Sequence, residues 1–347
     1  MNKNIIGKYP VVSLFSGCGG LDLGFKGGFT VMGKKYSEKK FNILWSNDFD
    51  EKACLTFSKN FKEPIVHADI VQILKGNYPD PFSPRMPEKA IVVLGGFPCQ
   101  DFSLAGKREG FEGKRGKLYR SMVETVKRLR PAVFVAENVK GLLSMDNGHA
   151  IDKIKKDFAE LGYDVTHKLF HAANYGVPQN RERVIIVGTD NKRNLPKFEY
   201  PEEIFSKEKW VTLDRAIGDL ANRKEGAAAN HFWSKAKMFK GTQGNTVINR
   251  KKIGPTMRAE HHGNIEWHWN KKRRLSAREA ARIQTFPDNF VFFPSTSSAY
   301  KQIGNAVPPV LGWHVATAVE TFLDKYLKEN DLREQTRSIG EGLRVPA

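Results

Sequence analysis

Five short apolar runs punctuate the first 190 residues, and their alternation with helical stretches constrains the fold more than any other feature. The runs are VVSLFS (Val11 to Ser16), NILWSN (Asn42 to Asn47), AIVVLGG (Ala90 to Gly96), AVFVAEN (Ala132 to Asn138) and RVIIVGT (Arg183 to Thr189). Each is bounded by turn-forming residues, as buried strands are. Helical patterns start at about Asp50 and cover about Lys117 to Leu129 and Ala150 to Leu161. Strands alternating with helices predict an α/β fold around a doubly wound, mostly parallel sheet.

After Asp190 the character changes to lysine, asparagine and isolated tryptophans, with weak periodicity through Trp269. This predicts a second, smaller and irregular domain over 196–296, including a hinge. Helical spacing returns in SAREAARIQTF (Ser276 to Phe286). It returns again where Leu311, Val315, Val319, Phe322 and Tyr326 share one face of a terminal helix. That helix is expected to pack back on the sheet, so that 297–330 completes the large domain begun by 1–195. Residues 331–347 are polar and uncapped and read as a mobile tail.

Lysine and arginine exceed aspartate and glutamate by 18, which points to a polyanionic partner, nucleic acid before a membrane surface. The segment Asn191 to Ala280 alone holds 20 basic and 10 acidic residues. Three cysteines, Cys18, Cys54 and Cys99, make no even disulfide set, and the start of the chain lacks the apolar stretch of a signal peptide. No apolar run approaches the roughly 20 residues that cross a bilayer. A reducing, cytoplasmic setting is the expectation, without membrane attachment.

The turn in SLFSGCGGLDLGF brings Gly17, Gly19 and Gly20 together between a strand and a helix, as in nucleotide-type sites. The spacing departs from G-x-G-x-x-G, so it favours a ligand with adenosine but no pyrophosphate. Asp48, at the end of the second strand, is placed to accept from ribose hydroxyls, and Phe49 offers an aromatic face for adenine. A helix cap made by Asp48 or Asp50 is the competing reading. Asp69 is either an acceptor for the adenine amino group or a turn residue. Cys99, directly after Pro98, falls past the carboxyl end of a strand, where open α/β sheets bind ligands. Most unpaired cysteines are simply small buried hydrophobes, and Cys99 alone does not decide between the two.

Eight motifs in order do decide. FSGCGGLDLGF, SNDFD, ADI, GGFPCQDFS, AENVKG, NYGVPQNRERV, RRLSAREAARIQTFPD and AYKQIGNAVPP span Ser13 to Pro309, nearly the whole chain. Together they resemble the DNA (cytosine-5)-methyltransferases that use S-adenosylmethionine. The resemblance implies a class I, Rossmann-like methyltransferase fold with a target-recognition domain, acting on double-stranded DNA. By the same resemblance Phe15, Gly17, Gly19, Gly20, Asp48 and Phe49 contact the cofactor. So do Asp69, Ile70, Pro98, Leu118, Asn305 and Ala306. The setting it implies is restriction-modification, with a monomeric enzyme at the nucleoid and a cognate endonuclease acting on the same site without stable contact.

The chemistry gives these residue types a reason. Carbon 5 of cytosine is a poor nucleophile until a thiolate adds at carbon 6, which makes Cys99 the expected nucleophile. Charge pushed into the ring must be neutralised at nitrogen 3, which needs an acid nearby. Glu137 ends the next strand at the same sheet edge, and the resemblance assigns it to nitrogen 3 and the exocyclic amine. Asn138 would hold the Pro98 to Cys99 loop. Arg181 and Arg183 alternate along a strand start. By resemblance Arg183 donates to the cytosine oxygen, and Arg181 supports the nearby loop or a phosphate. The Gly-rich basic stretch between Asp101 and Leu118 reads as a lid, in which Ser103 and Arg115 match phosphate-contacting positions.

A base in a duplex must leave the stack before its carbon 6 is reachable, which explains the need for a second domain. Lys235, Lys237, Lys240, Arg250, Lys251, Lys252 and Arg258 carry charge suited to phosphates. His261 and His262 have no cysteine nearby and no H-E-x-x-H spacing, so no metal is expected. A transfer-RNA methyltransferase shares the motif set, but the long segment between the two catalytic blocks favours DNA. A DNA-binding repressor with a degenerate catalytic domain is opposed by the presence of Cys99, Glu137 and Arg183. A dehydrogenase is opposed by the glycine spacing.

Overall fold

A computed structural model of the chain describes residues 8–98, 116–237, 246–259 and 265–342, with side chains left out at 116, 117 and 328–342. The strands β1 (Tyr9–Leu14), β4 (Phe41–Asp48), β5 (Ile65–His67), β6 (Val92–Gly95), β7 (Val133–Val139), β8 (Tyr163–His171) and β9 (Glu182–Asp190) form one sheet in the order β5-β4-β1-β6-β7-β9-β8. β1 pairs parallel with both β4 and β6, and β6 with β7. The chain winds outward in one direction from β1 and in the other from β6, so the crevice past their carboxyl ends is a topological switch point.

Period-two alternation puts the strands' side chains on two faces. Val11, Val92, Leu94, Val133, Val135, Ile185 and Val187 face a core shared with helix α1 (Gly20–Lys26) and the terminal helix. Val12, Leu14, Trp45, Val93, Phe134, Val184 and Ile186 face the other, packed by α3 (Ile70–Leu74), α4 (Gly116–Leu129) and α5 (His149–Glu160). α4 buries Tyr119, Met122, Val126 and Leu129, a helical stripe. α2 (Glu51–Asn60) lies between β4 and β5.

Several boundaries differ from the sequence expectation. β1 stops at Leu14, because Phe15 adopts a positive φ of 54° that no strand continues through. Three antiparallel strands were not anticipated, one at the edge of the sheet and two in a separate hairpin. β8 alternates half-buried polar and apolar residues on β9, so its signal is period two and not an apolar run. The hairpin of β2 (Phe29–Val31) and β3 (Lys34–Tyr36) turns on Met32 and Gly33, both with positive φ, as two-residue hairpin turns require.

The segment after β9 is irregular, as expected; among its described residues the α-helices before α8 (Thr296–Asn305) are the short α6 (Leu213–Ile217) and α7 (Ala277–Ile283). It shares its core with the large domain: Leu213, Ile217, Met257, Leu275 and Ile283 pack in one cluster with Cys18, Phe57 and Phe61. Much of its backbone is satisfied by buried arginines. Arg274 donates to Ala236 and Lys237 carbonyls, and Arg278 to those of Ala229, Pro287 and Phe290. The terminal helix α9 (Pro309–Gly342) buries Leu311, Val315, Val319 and Phe322 against α1 and the sheet. Its backbone stays helical to Gly342, past residue 331 where the sequence suggests a mobile tail.

Candidate active site

The turn from β1 into α1 is tied to the end of β4. Gly17 N–H donates to Asp48 Oδ2 at 2.7 Å, and Asp50 N–H donates to Asp48 Oδ1 at 2.8 Å. Asp50, not Asp48, caps α2, accepting from the Lys52 and Ala53 amides. The helix cap that was one reading for Asp48 thus falls to Asp50, and the Asp48 carboxylate braces the glycine turn. Burial raises the pKa of Asp48, against the pull of its backbone donors. Gly17 has a φ of 56° with open space where a Cβ would stand. Phe49 leaves 75% of its surface exposed, an aromatic face in contact with no core. Asp69 caps α3 through the Val71 amide at 2.9 Å.

These groups line one cavity of about 1020 Å³, which also includes Phe15, Gly20, Ile70, Pro98, Leu118, Asn305 and Ala306. Asn305 and Ala306 arrive from the end of α8, more than 280 residues after the turn they face, because Gly20 lets the chain at Val307 approach. A Cβ at Gly20 would stand 2.4 Å from the Val307 carbonyl oxygen. Gly19 is the exception among the expected cofactor residues. It does not line the cavity, and a Cβ there would enter the Phe61 ring at 2.4 Å, so its smallness serves the packing of α2.

The far wall of the same cavity holds Glu137 and Arg183. Parallel pairing sets Ala136 of β7 beside Gly95 of β6, which brings Glu137 level with Gly96. Antiparallel pairing of β7 with β9 brings in Arg183, whose Nε lies 2.8 Å from Glu137 Oε1. Both side chains are nearly buried, at 12% and 11% exposure, so each fixes the other's direction. Asn138 Nδ2 donates to the Phe97 carbonyl at 3.0 Å, which anchors the loop carrying Pro98. Cys99, Ser103 and Arg115 lie outside the described residues, as do Lys240, His261 and His262.

Arg181, grouped with the catalytic residues by sequence, does not line the cavity. It is 1% exposed and donates to the carbonyls of Met257 at 2.9 Å, Gly304 at 3.0 Å and Ala306 at 2.9 Å. A buried guanidinium whose two terminal nitrogens both donate to backbone carbonyls acts as a support. The sequence reading missed the partners of this clamp. Gln179 accepts from the Met257 amide at 2.8 Å and donates to Gln284, which donates to Ala306. Arg258 follows Met257 and is exposed, and its backbone lies against Gly304, where a Cβ would meet Arg258 C at 2.1 Å. Lys301, paired with Asp50 at 2.9 Å, and the buried Asp22 also line the cavity; both lie within the ordered motifs, which assign neither a role.

The cavity suits a nucleoside-bearing ligand on its β1 and β4 side: an open glycine turn, an exposed aromatic ring and carboxylates at two strand ends. The Glu137 and Arg183 side offers an acceptor and a cation to a polar ring.

A family model for C-5 cytosine-specific DNA methylases matches residues 9–321. Among curated proteins, the Type II methyltransferase M.NgoFVII of Neisseria gonorrhoeae is 35% identical over 94% of this chain and 91% of its own length. The Type II methyltransferase M.FnuDI of Fusobacterium nucleatum is 34% identical over 94% of this chain and 98% of its own. The fold is similar to that of the Dnmt2 methyltransferase of S. pombe, with a TM-score of 0.66 at 16% identity over 90% of this chain and 99% of that one.

Proposed function

The chain belongs to the C-5 cytosine-specific DNA methylases and is a DNA cytosine-5 methyltransferase; from that premise we propose that it uses S-adenosylmethionine, acts on a cytosine flipped out of duplex DNA, and proceeds through a covalent Cys99 adduct. The observation that carries this reading is the shared cavity. The cofactor-side turn held by Asp48 and the Glu137–Arg183 pair face one space, and Pro98, the residue before Cys99, lines it.

Asp48, Phe49 and Asp69 hold the nucleoside of the cofactor, and Gly17, Leu118, Asn305 and Ala306 close around the rest. When bound, S-adenosylmethionine supplies an electrophilic methyl group on a sulfonium. The chain does the remaining work. The Cys99 thiolate forms a bond to carbon 6, the ring's electron pair moves toward carbon 5, and Glu137 holds a proton at nitrogen 3. Arg183 donates to the ring's exocyclic oxygen and keeps Glu137 in place. After carbon 5 is methylated its proton leaves to a base, the electron pair restores the ring double bond, and the Cys99 sulfur departs. Arg181 supports the loops on both sides without touching the base. Arg258, Ser103 and Arg115 contact the DNA backbone, with the irregular segment 196–296 serving target recognition. The likeness to Type II methyltransferases supports a protective role in restriction-modification.

The test is transfer of labelled methyl from S-adenosylmethionine to unmethylated genomic DNA, with transfer RNA as a parallel acceptor. Wild type labels DNA at carbon 5 of cytosine, and Cys99→Ser does not. Preferential labelling of transfer RNA, or activity of the Cys99→Ser variant near wild type, overturns the reading.

A further inference from the structure

Asp22 stands in the first turn of α1, is fully buried, and lies in the wall of the cavity. Neither of its carboxyl oxygens has a hydrogen-bond partner among the described residues. An ionised carboxylate without donors is costly in such a place.

Its surroundings relieve that cost only in part, Asp22's own backbone N–H favouring the ionised form. From β4 comes Asp48 and from the loop after α2 comes Glu63, both negative, and Glu63 is held by Lys26 at the end of α1. From β1 comes the Ser13 hydroxyl, outside hydrogen-bond geometry but favouring the ionised form. The buried Cys18 thiol lies on the same turn. The elements packed on α1 present no charge at their closest approach: α9 contributes Gly312 at Gly24, and the chain before it contributes Val307 at Gly20. Burial, the largest influence, pushes Asp22 up to about 7.

We propose that Asp22 is a charge-sensing residue of the cofactor cavity, neutral when the cavity holds no cation and ionised when a sulfonium is bound, so that the pocket prefers the charged methyl donor over its neutral thioether product. The proposal rests on the methyl-donor reading above and adds a residue to it. A buried carboxyl lacking donors has its ionised form stabilised by a cation entering the adjacent space, and linkage then requires that cation binding and proton release strengthen each other. S-adenosylhomocysteine has the same nucleoside and amino-acid groups but no positive sulfur, so it provides no such stabilisation. Loss of the methyl group thus lets Asp22 take a proton back and weakens retention of the product.

Calorimetry of the full chain with S-adenosylmethionine and with S-adenosylhomocysteine, from pH 6 to 8 in buffers of different ionisation enthalpy, tests this. For wild type the donor's affinity rises by up to about tenfold over that range relative to the product's. Its binding at pH 7 releases up to about half a proton while the product's releases none. Asp22→Asn, which keeps the shape of the side chain, flattens the ratio and abolishes the release. A donor-to-product ratio independent of pH in wild type overturns the proposal without any variant, as does an unchanged ratio and release in Asp22→Asn. Failure of wild type to bind either compound instead overturns the cofactor reading itself.

Discussion

Arg183 Nε lies 2.8 Å from Glu137 Oε1, joining two antiparallel strands, β7 and β9, in the lining of the cavity. Val139, not Glu137, is the residue directly opposite Arg183 in the ladder, so the long arginine side chain reaches diagonally along the sheet to meet the carboxylate. The contact fixes two functional groups by each other, and Arg183 Nη1 is held in addition by the Glu182 carbonyl at 2.7 Å.

This pairing separates chemistry from stability in a Glu137→Gln variant. Glutamine keeps the size and an oxygen beside the Arg183 guanidinium but gives up the charge and the acid. Turnover in a labelled-methyl assay is expected to fall by about 10²–10⁴-fold, the usual weight of a positioned acid or base. The Michaelis constant for S-adenosylmethionine should change by less than about threefold, since Glu137 stands on the other wall. An equal loss in cofactor affinity would place Glu137 among the cofactor contacts.

Arg181 is two residues from Arg183 and has the opposite expected signature. Arg181→Met leaves two buried carbonyls without this donor, those of Met257 and Gly304, while Ala306 keeps the Gln284 amide. Unmet buried hydrogen-bonding groups cost about 1–3 kcal/mol each, partly recovered by removing a buried charge, so a loss of roughly 3 kcal/mol is expected in denaturant unfolding. Arg183→Met should lose activity with a smaller change in midpoint. Similar unfolding midpoints for both variants would show that the carbonyl clamp contributes little.

The difference between the two arginines also marks what the sequence made legible. The strands β1, β4, β6, β7 and β9 follow from apolar runs, and the residues just past their ends fall in the cavity because sheet topology puts them there. Glu137, Arg183, Asp48 and Asp69 were readable for that reason. For Arg181 the resemblance offered support of a nearby loop or a phosphate, but its partners were not readable, since they lie 76, 123 and 125 residues away and no local spacing reports a carbonyl. The same holds for the basic segment after Asp190. Arg273, Arg274 and Arg278 count toward its charge excess, yet they are buried, with Arg273 paired to Glu279 at 2.6 Å. Composition overstates the charge this segment turns outward. β8 was missed because alternation of half-buried residues resembles a polar loop.

Gly304 joins the cofactor loop to the segment of Arg258. A Cβ there would meet Arg258 C at 2.1 Å and Ala259 N at 2.2 Å, both backbone atoms that cannot rotate away. Gly304→Ala should force the two segments apart and strain the Arg181 clamp between them. The expected result is a loss of cofactor affinity of tenfold or more by calorimetry, with a destabilisation of about 1–3 kcal/mol typical of overpacking. Binding within twofold of wild type would show that the 258–259 segment relaxes freely.

Acid sensitivity should trace in part to His314. It is buried on α9 behind Tyr175, its Nε2 has no partner among the described residues, and burial, assisted by Lys34 and Lys39, pushes its pKa down to about 4. The folded value lies below the ordinary value of 6.5, so the unfolded chain binds this proton first as pH falls. Stability from this group is complete above about pH 6.5 and is lost progressively toward pH 4, by roughly 3 kcal/mol in total. His231 and His268, also lowered by burial, act in the same direction, whereas Asp22, raised to about 7, gives up stability as pH rises. His314→Gln removes one titrating group without adding charge. Its unfolding free energy should therefore fall less steeply between pH 6.5 and 4 than that of wild type, by up to about 1.4 kcal/mol per pH unit. Parallel curves for the two proteins would show that His314 is protonated in the folded chain and finds a partner there.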